Sequence, residues 1–305
     1  MARNESTLLH DCIPILCTPF MEDGSVDLES LEREIDWVIA EGATGVAALA
    51  LASEGYKLTE PERDAVTATT VRAVAGRVPV VISADGAGTE VAVDRARRAE
   101  VACADALMVL PPSFVKPDQA SLIDYYSRIG ETVAVPVIIQ DAPQLTGVPM
   151  GPALWARLVE AVPTIQYVKA EGTPQGATLT ETIRQSDGKL AVFCGWGGLG
   201  MLDAMERGAA GSMPAPNFTR VFAEVQNLYE SSRVDDASNL FHRELPFILW
   251  AMQSLDFSVK SAKEELRRRG IFRTALQRQP AVGLDEIALG QLDRWIEGRL
   301  ATSGA

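Results

Sequence analysis

The feature that most constrains this chain is an alternation. Eight short, nearly continuous apolar runs recur along it, each followed by a stretch of helical period. The runs are CIPILCTPF (12–20), GVAALAL (45–51), VPVVISAD (78–85), ALMVLPP (106–112), VPVIIQDAP (135–143), IQYVKAE (165–171), LAVFCG (190–195) and GAAGSMP (208–214). Parallel strands covered on both faces read this way, because neither face has to be polar. Between them lie segments such as DLESLEREIDWVIAEG (27–42) and DRARRAEVACAD (94–105), apolar at helical spacing and closed by a glycine or a short polar stop. Thr59 reads as a helix N-cap, with Glu62 at the capping-box position.

Units spaced roughly 25–30 residues apart and filling about 225 residues have the count and length of a (β/α)8 TIM barrel. The rival, a doubly wound sheet, usually has fewer units and a glycine-rich turn after its first strand, where this chain has TPFMEDGSVD. Beyond residue 226 the period stays helical and no strand run recurs. The expected organisation is a barrel over 8–225 and a C-terminal three-helix appendage over 226–305, with a frayed ATSGA end.

Composition narrows the function. The net charge is −13 and the longest basic block is RRRG at 267–270, so no nucleic-acid partner is expected. No signal-peptide core and no stretch near about 18 uninterrupted apolar residues is present, which points to a cytoplasmic protein without membrane contact. Cys12, Cys17, Cys103 and Cys194 lack CxxC spacing and read as reduced core or near-core thiols. With His10 and His242 alone there is no multi-histidine metal site, and neither GxGxxG nor GxxxxGK[ST] occurs, so no metal and no cofactor are expected.

The sixth run carries the chemistry. In IQYVKAE a lysine sits inside an apolar stretch, and along a strand Tyr167, Lys169 and Glu171 share one face. Catalytic groups of a barrel lie at the C-terminal ends of its strands. A desolvated amine there is a nucleophile suited to Schiff-base formation with a ketone, and Glu171 is placed to move a proton on the adjacent carbon. The other strand ends bring Ser53 and Glu54, Ser113 and Phe114, Gln140 and Asp141, Gly195, and Met213 toward the same rim as substrate-binding candidates. Trp196 reads as a packed loop aromatic.

These residues resemble the dihydrodipicolinate synthase/N-acetylneuraminate lyase family over about residues 11–300. The resemblance is carried by P-x-x-x-TPF from Pro14, E-x-x-x-LT-x-x-ER from Glu54, P-x-x-x-x-KP from Pro111, the Pro136 to Gly147 pattern P-x-x-x-x-x-x-P-x-x-TG, Lys169, and GAxG from Gly208. It implies a homotetramer, an imine at Lys169 and a small 2-keto acid substrate. Four positions depart from the synthase and lyase pattern: Ala50-Leu51-Ala52-Ser53 replaces the hydroxyl-rich loop, Gln140 and Phe114 replace tyrosines, and Leu145 replaces an arginine. The branch of L-2-keto-3-deoxyarabonate dehydratases is similar in Ser53-Glu54, Gln140-Asp141-Ala142-Pro143, and Lys169-x-Glu171 followed by Thr173-Pro174. That likeness implies dehydration of a 2-keto-3-deoxy sugar acid to 2,5-dioxopentanoate, with Glu171 as the acid–base group. A pyruvate-dependent aldolase or synthase, and a non-catalytic barrel that binds a keto acid, stay open beside it.

Overall fold

A computed structural model describes residues 9–303. Among them the eight runs become eight parallel strands: β1 (Asp11–Cys12), β2 (Val46–Ala48), β3 (Val80–Ser83), β4 (Ala106–Val109), β5 (Val137–Asp141), β6 (Ile165–Ala170), β7 (Ala191–Cys194) and β8 (Gly211–Ser212). Their spatial order is β1-β8-β7-β6-β5-β4-β3-β2. The remaining seam closes through a parallel bridge between Ile15 and Ala47. There the Leu16 N–H donates to Ala47 O at 2.8 Å and the Ala47 N–H to Pro14 O at 3.0 Å. The fold is the TIM barrel expected from the alternation.

Around the sheet lie α1 (Leu28–Ala40), α2 (Glu60–Val74), α3 (Thr89–Val101), α4 (Gln119–Gly130), the short α5 (Pro143–Thr146), α6 (Pro152–Ala161), α7 (Gln175–Gln185), α8 (Met201–Glu206) and α9 (Thr219–Glu230). The start of α2 follows the capping-box reading: the Glu62 carboxylate accepts from the Thr59 N–H at 2.9 Å. Strand side chains divide by parity into two layers. Ile13, Val81, Met108, Ile138, Tyr167 and Phe193 fill the barrel interior. Val80, Leu107, Ile139, Val168 and Val192 face the helices. Cys12, Cys17 and Cys194 are buried free thiols, but Cys103 is exposed in the turn after α3, contrary to the core or near-core reading.

After β8 and α9, the described residues form α10 (Val234–Ala251), α11 (Leu255–Arg268) and α12 (Glu286–Ser303). The expected boundary at residue 226 falls inside α9, so the helices beyond the barrel units start at Val234. Periodicity alone did not separate α9 from α10, because both sides of residue 226 are helical. No helix of the described residues is long and apolar enough to cross a membrane.

Candidate active site

Lys169 occupies the inward-facing end of β6, in register with Gln140 on β5 and Phe193 on β7. Below it on the same face, Tyr167 belongs to a deeper layer. Its hydroxyl accepts from the Leu9 N–H at 3.3 Å, and its ring lies 6.0 Å from that of Phe193. Above it, Glu171 leaves the strand and turns back. Its Oε1 lies 2.8 Å from Lys169 Nζ and accepts from Gln140 Nε2 at 2.9 Å. Both residues of the pair are nearly sealed from solvent, Lys169 at 6% and Glu171 at 4% exposure. Gln144 Nε2 donates to the Glu171 carbonyl at 3.0 Å and anchors the backbone of the turn. The Gln140 side-chain oxygen has no partner among the described residues, so an acceptor is left open beside the carboxylate.

Gly195, expected to approach a ligand with its backbone, has a different task. A Cβ there would sit 2.3 Å from Glu171 Cγ and 3.0 Å from the Ala170 carbonyl oxygen. Only the missing side chain lets Glu171 fold back over the lysine. We therefore expect Gly195→Ala to displace the carboxylate and lower kcat by about 10²-fold, the effect of moving a catalytic group by about 1 Å. Borohydride trapping at Lys169 should persist in this variant. Wild-type kcat would show that Glu171 needs no such space.

The pair opens into a cleft lined also by Ile15, Leu51, Ala52, Leu145, Met213 and Trp196. Met213 is thus where the sequence suggested. Trp196, read as a packed aromatic, instead borders the cleft and holds a backbone φ of +50°, a region bulky side chains rarely enter. Met252, Leu255 and Ser258, from the α10–α11 junction and α11, complete the wall. The sequence reading missed all three, because helix period carries no information on which distant loop a residue will face.

Five expected site residues go elsewhere. Ser53 is buried, its carbonyl accepting from Thr18 Oγ1 at 2.6 Å, and its hydroxyl has no partner among the described residues. Leu51 and Ala52, rather than Ser53, line the cleft. Glu54 turns toward α11, where Lys263 donates to one carboxylate oxygen while Lys57 Nζ and the Arg278 N–H reach the other, each at 3.0 Å. Ser113 lies on the exposed β4–α4 loop, its carbonyl accepting from Lys116 Nζ at 2.6 Å, beside an exposed Phe114.

Asp141, one residue after Gln140, faces the opposite side of β5 by strand parity. It is buried, and its Oδ1 accepts a long 3.4 Å bond from the Met150 N–H. Burial lifts its pKa from 3.8 to about 7; the Met150 N–H works against this and the Glu171 charge adds to it. The unfolded chain therefore loses this proton near pH 4, whereas the folded chain keeps it until about pH 7. Stability contributed by the protonated form is complete below the unfolded value and is lost as pH rises toward 7. Asp141→Asn should thus stabilise the protein by about 2–4 kcal/mol at pH 8 and little at pH 4, at about 1.4 kcal/mol per pH unit of displacement. Urea melts at the two pH values test this; equal gains at both would assign the effect to packing.

A parallel eight-stranded barrel with a buried lysine–glutamate pair at the strand ends fits a barrel lyase. The comparisons agree: the profile of the dihydrodipicolinate synthetase family matches residues 8–298, and the chain belongs to that family. It is 29% identical over 273 residues to an L-2-keto-3-deoxyarabonate dehydratase of Azospirillum brasilense, covering 88% of this chain and 87% of that one. It is 30% identical over 294 residues to a 4-hydroxy-tetrahydrodipicolinate synthase of Cereibacter sphaeroides, covering 94% and 97%. Among solved structures, a prophage protein of the dihydrodipicolinic acid synthase family from E. coli K12, in complex with pyruvate, superposes with a TM-score of 0.89. The two are 26% identical, and the match covers 96% of this chain and 99% of that one.

Proposed function

We propose that the protein dehydrates a 2-keto acid bearing a hydroxyl on C4, the arrangement of 2-keto-3-deoxy sugar acids, through an imine at Lys169. The observation that carries this reading is the pair itself: Glu171 lies 2.8 Å from the amine and is also held by Gln140. Lys169 Nζ adds to the C2 carbonyl and water leaves, giving an iminium that draws electrons from C3. The Glu171 carboxylate removes a C3 proton to form the enamine. The enamine electrons then expel the C4 hydroxyl, which takes the proton held on Glu171 and departs as water. Hydrolysis frees a 3,4-unsaturated 2-keto acid and restores the lysine. With L-2-keto-3-deoxyarabonate, tautomerisation through the C5 hydroxyl would give 2,5-dioxopentanoate.

Residues that would favour condensation with a second, acidic substrate are replaced. Leu145 stands in the cleft wall, so no cation from that position meets a second carboxylate. Gln140, at the strand-five position, does not ionise, and Phe114 is 91% exposed. We also propose assembly into a homotetramer, consistent with the exposed Phe114 and Val115 on one loop.

The test is incubation with L-2-keto-3-deoxyarabonate or pyruvate, reduction with borohydride, and mapping of the modified residue. An adduct on Lys169 with the sugar acid, together with 2,5-dioxopentanoate in solution, is the expected result. Release of pyruvate and an aldehyde would identify an aldolase, and imine formation without turnover a binding protein.

A further inference from the structure

Most of the cleft is not built for a polyol. Beyond Lys169, Glu171 and Gln140, its side chains are apolar except for Ser258 and the indole N–H of Trp196. Leu51, Leu145, Trp196, and the Met252 and Leu255 pair come from four separate segments, the last of them the α10–α11 junction that follows the barrel. The tryptophan is held at φ +50°, a conformation that persists only where the surroundings impose it. Gly197 beside it leaves room for Met252: a Cβ there would lie 2.5 Å from the Met252 sulfur. The loop after β7 and the α10–α11 junction therefore meet in a tight apolar contact over the reactive pair.

A substrate hydroxyl placed against Leu51, Leu145, Met252 or Leu255 would give up water without a partner, whereas an alkyl or aryl group would gain from burial. We infer that the site favours 2-keto acids whose chain beyond C4 is apolar over the sugar acids it also accepts. The substrate class is R–CHOH–CH2–CO–COO⁻ with R a hydrocarbon group, and the product is R–CH=CH–CO–COO⁻ plus water. This inference rests on the imine at Lys169 and goes beyond it by assigning the distal half of the pocket.

Imine trapping with a homologous series separates the two. The intact chain is incubated with pyruvate, 2-oxobutanoate, 2-oxohexanoate or 2-oxooctanoate and reduced with borohydride. Hydride converts each iminium into a stable secondary amine on Lys169, and intact mass gives the half-saturating concentration. That concentration is expected to fall about 3- to 4-fold for each added methylene that enters the wall, the equivalent of about 0.8 kcal/mol per buried CH2. Trp196→Ala and Leu145→Arg should flatten the dependence for the long acids more than for pyruvate. A half-saturating concentration that is level or rises with chain length, while Lys169 is still labelled, overturns the apolar assignment and leaves the imine standing. Failure of every acid to label Lys169 overturns the imine and with it this inference. Turnover supplies a second reading: 4-hydroxy-2-oxooctanoate should exceed L-2-keto-3-deoxyarabonate in kcat/KM by at least about tenfold, given the same burial term. The reverse preference would sink the assignment.

Discussion

Replacing Lys169 by methionine should remove borohydride trapping altogether and reduce turnover by at least about 10⁴-fold. Loss of the nucleophile in a covalent mechanism removes the whole intermediate, so the effect should approach that of disabling all the groups that act with it. The fold should survive, because the lysine sits near the C-terminal end of β6 and methionine is close to its length without a charge. What remains is Glu171, then held by Gln140 alone and buried at 4% exposure. Its pairing charge is gone, so some stability should be lost together with the chemistry. Glu171→Gln separates the two roles. Its loss should be smaller, about 10²–10⁴-fold, which is the usual contribution of one positioned acid–base group. The imine should still form at Lys169, since the amine is untouched. Stopped-flow mixing followed by quench with borohydride would show the imine accumulating in Glu171→Gln and absent in Lys169→Met. Turnover in Lys169→Met within tenfold of wild type would remove the imine from the mechanism.

How far these roles were legible from the residues depended on distance along the chain. The eight strands could be read because burial on both faces leaves a local signature; even the two-residue β8 lies within its apolar run, and the two-residue β1 meets its run at Cys12. The lysine and its glutamate were legible because they are two residues apart on one strand. Gln140 and Met213 followed from the rule that strand ends converge. Ser53, Glu54 and Ser113 were misplaced for one shared reason: a strand-end loop has no period, so side-chain direction depends on the turn it makes. The turn after β2 runs through left-handed backbone at Leu49 and Glu54 (φ +63° and +56°). There Gly55 packs so closely on Leu49 that a Cβ would lie 2.0 Å from its carbonyl oxygen. That geometry points Leu51 and Ala52 inward and sends Glu54 outward. Met252 and Leu255 were invisible because their role is set by docking of the C-terminal helices, a contact spanning more than half the chain.

The outward turn of Glu54 supports the largest stability prediction. Lys263 is fully buried and its ammonium meets Glu54, the Leu276 carbonyl at 2.8 Å and the face of Phe20 at 4.4 Å. Burial pulls its pKa below the ordinary lysine value, with the Glu54 charge acting against that pull. Lys57 and the Arg278 N–H take the second oxygen, so one carboxylate ties the β2 loop to α11 and to the segment after it. Glu54→Leu would leave a sealed ammonium without its counter-charge, and removing one partner of a buried pair costs about 3–5 kcal/mol. Chemical denaturation should show that loss. Glu54→Leu combined with Lys263→Met should recover much of it, because replacing both charges with apolar groups is often close to neutral. If the single variant were as stable as wild type, the pair would contribute no clamp. Function should respond through KM more than kcat. Leu51 and Ala52 on one side of this tie and Leu255 on the other face the same cleft, while Lys169 and Glu171 stand on β6 and just beyond it. Loosening the tie separates the walls of the cleft from one another, yet leaves Lys169 Nζ and Glu171 Oε1 2.8 Å apart. A residue expected to touch substrate thereby acts at one remove, by holding the C-terminal helices against the mouth of the barrel.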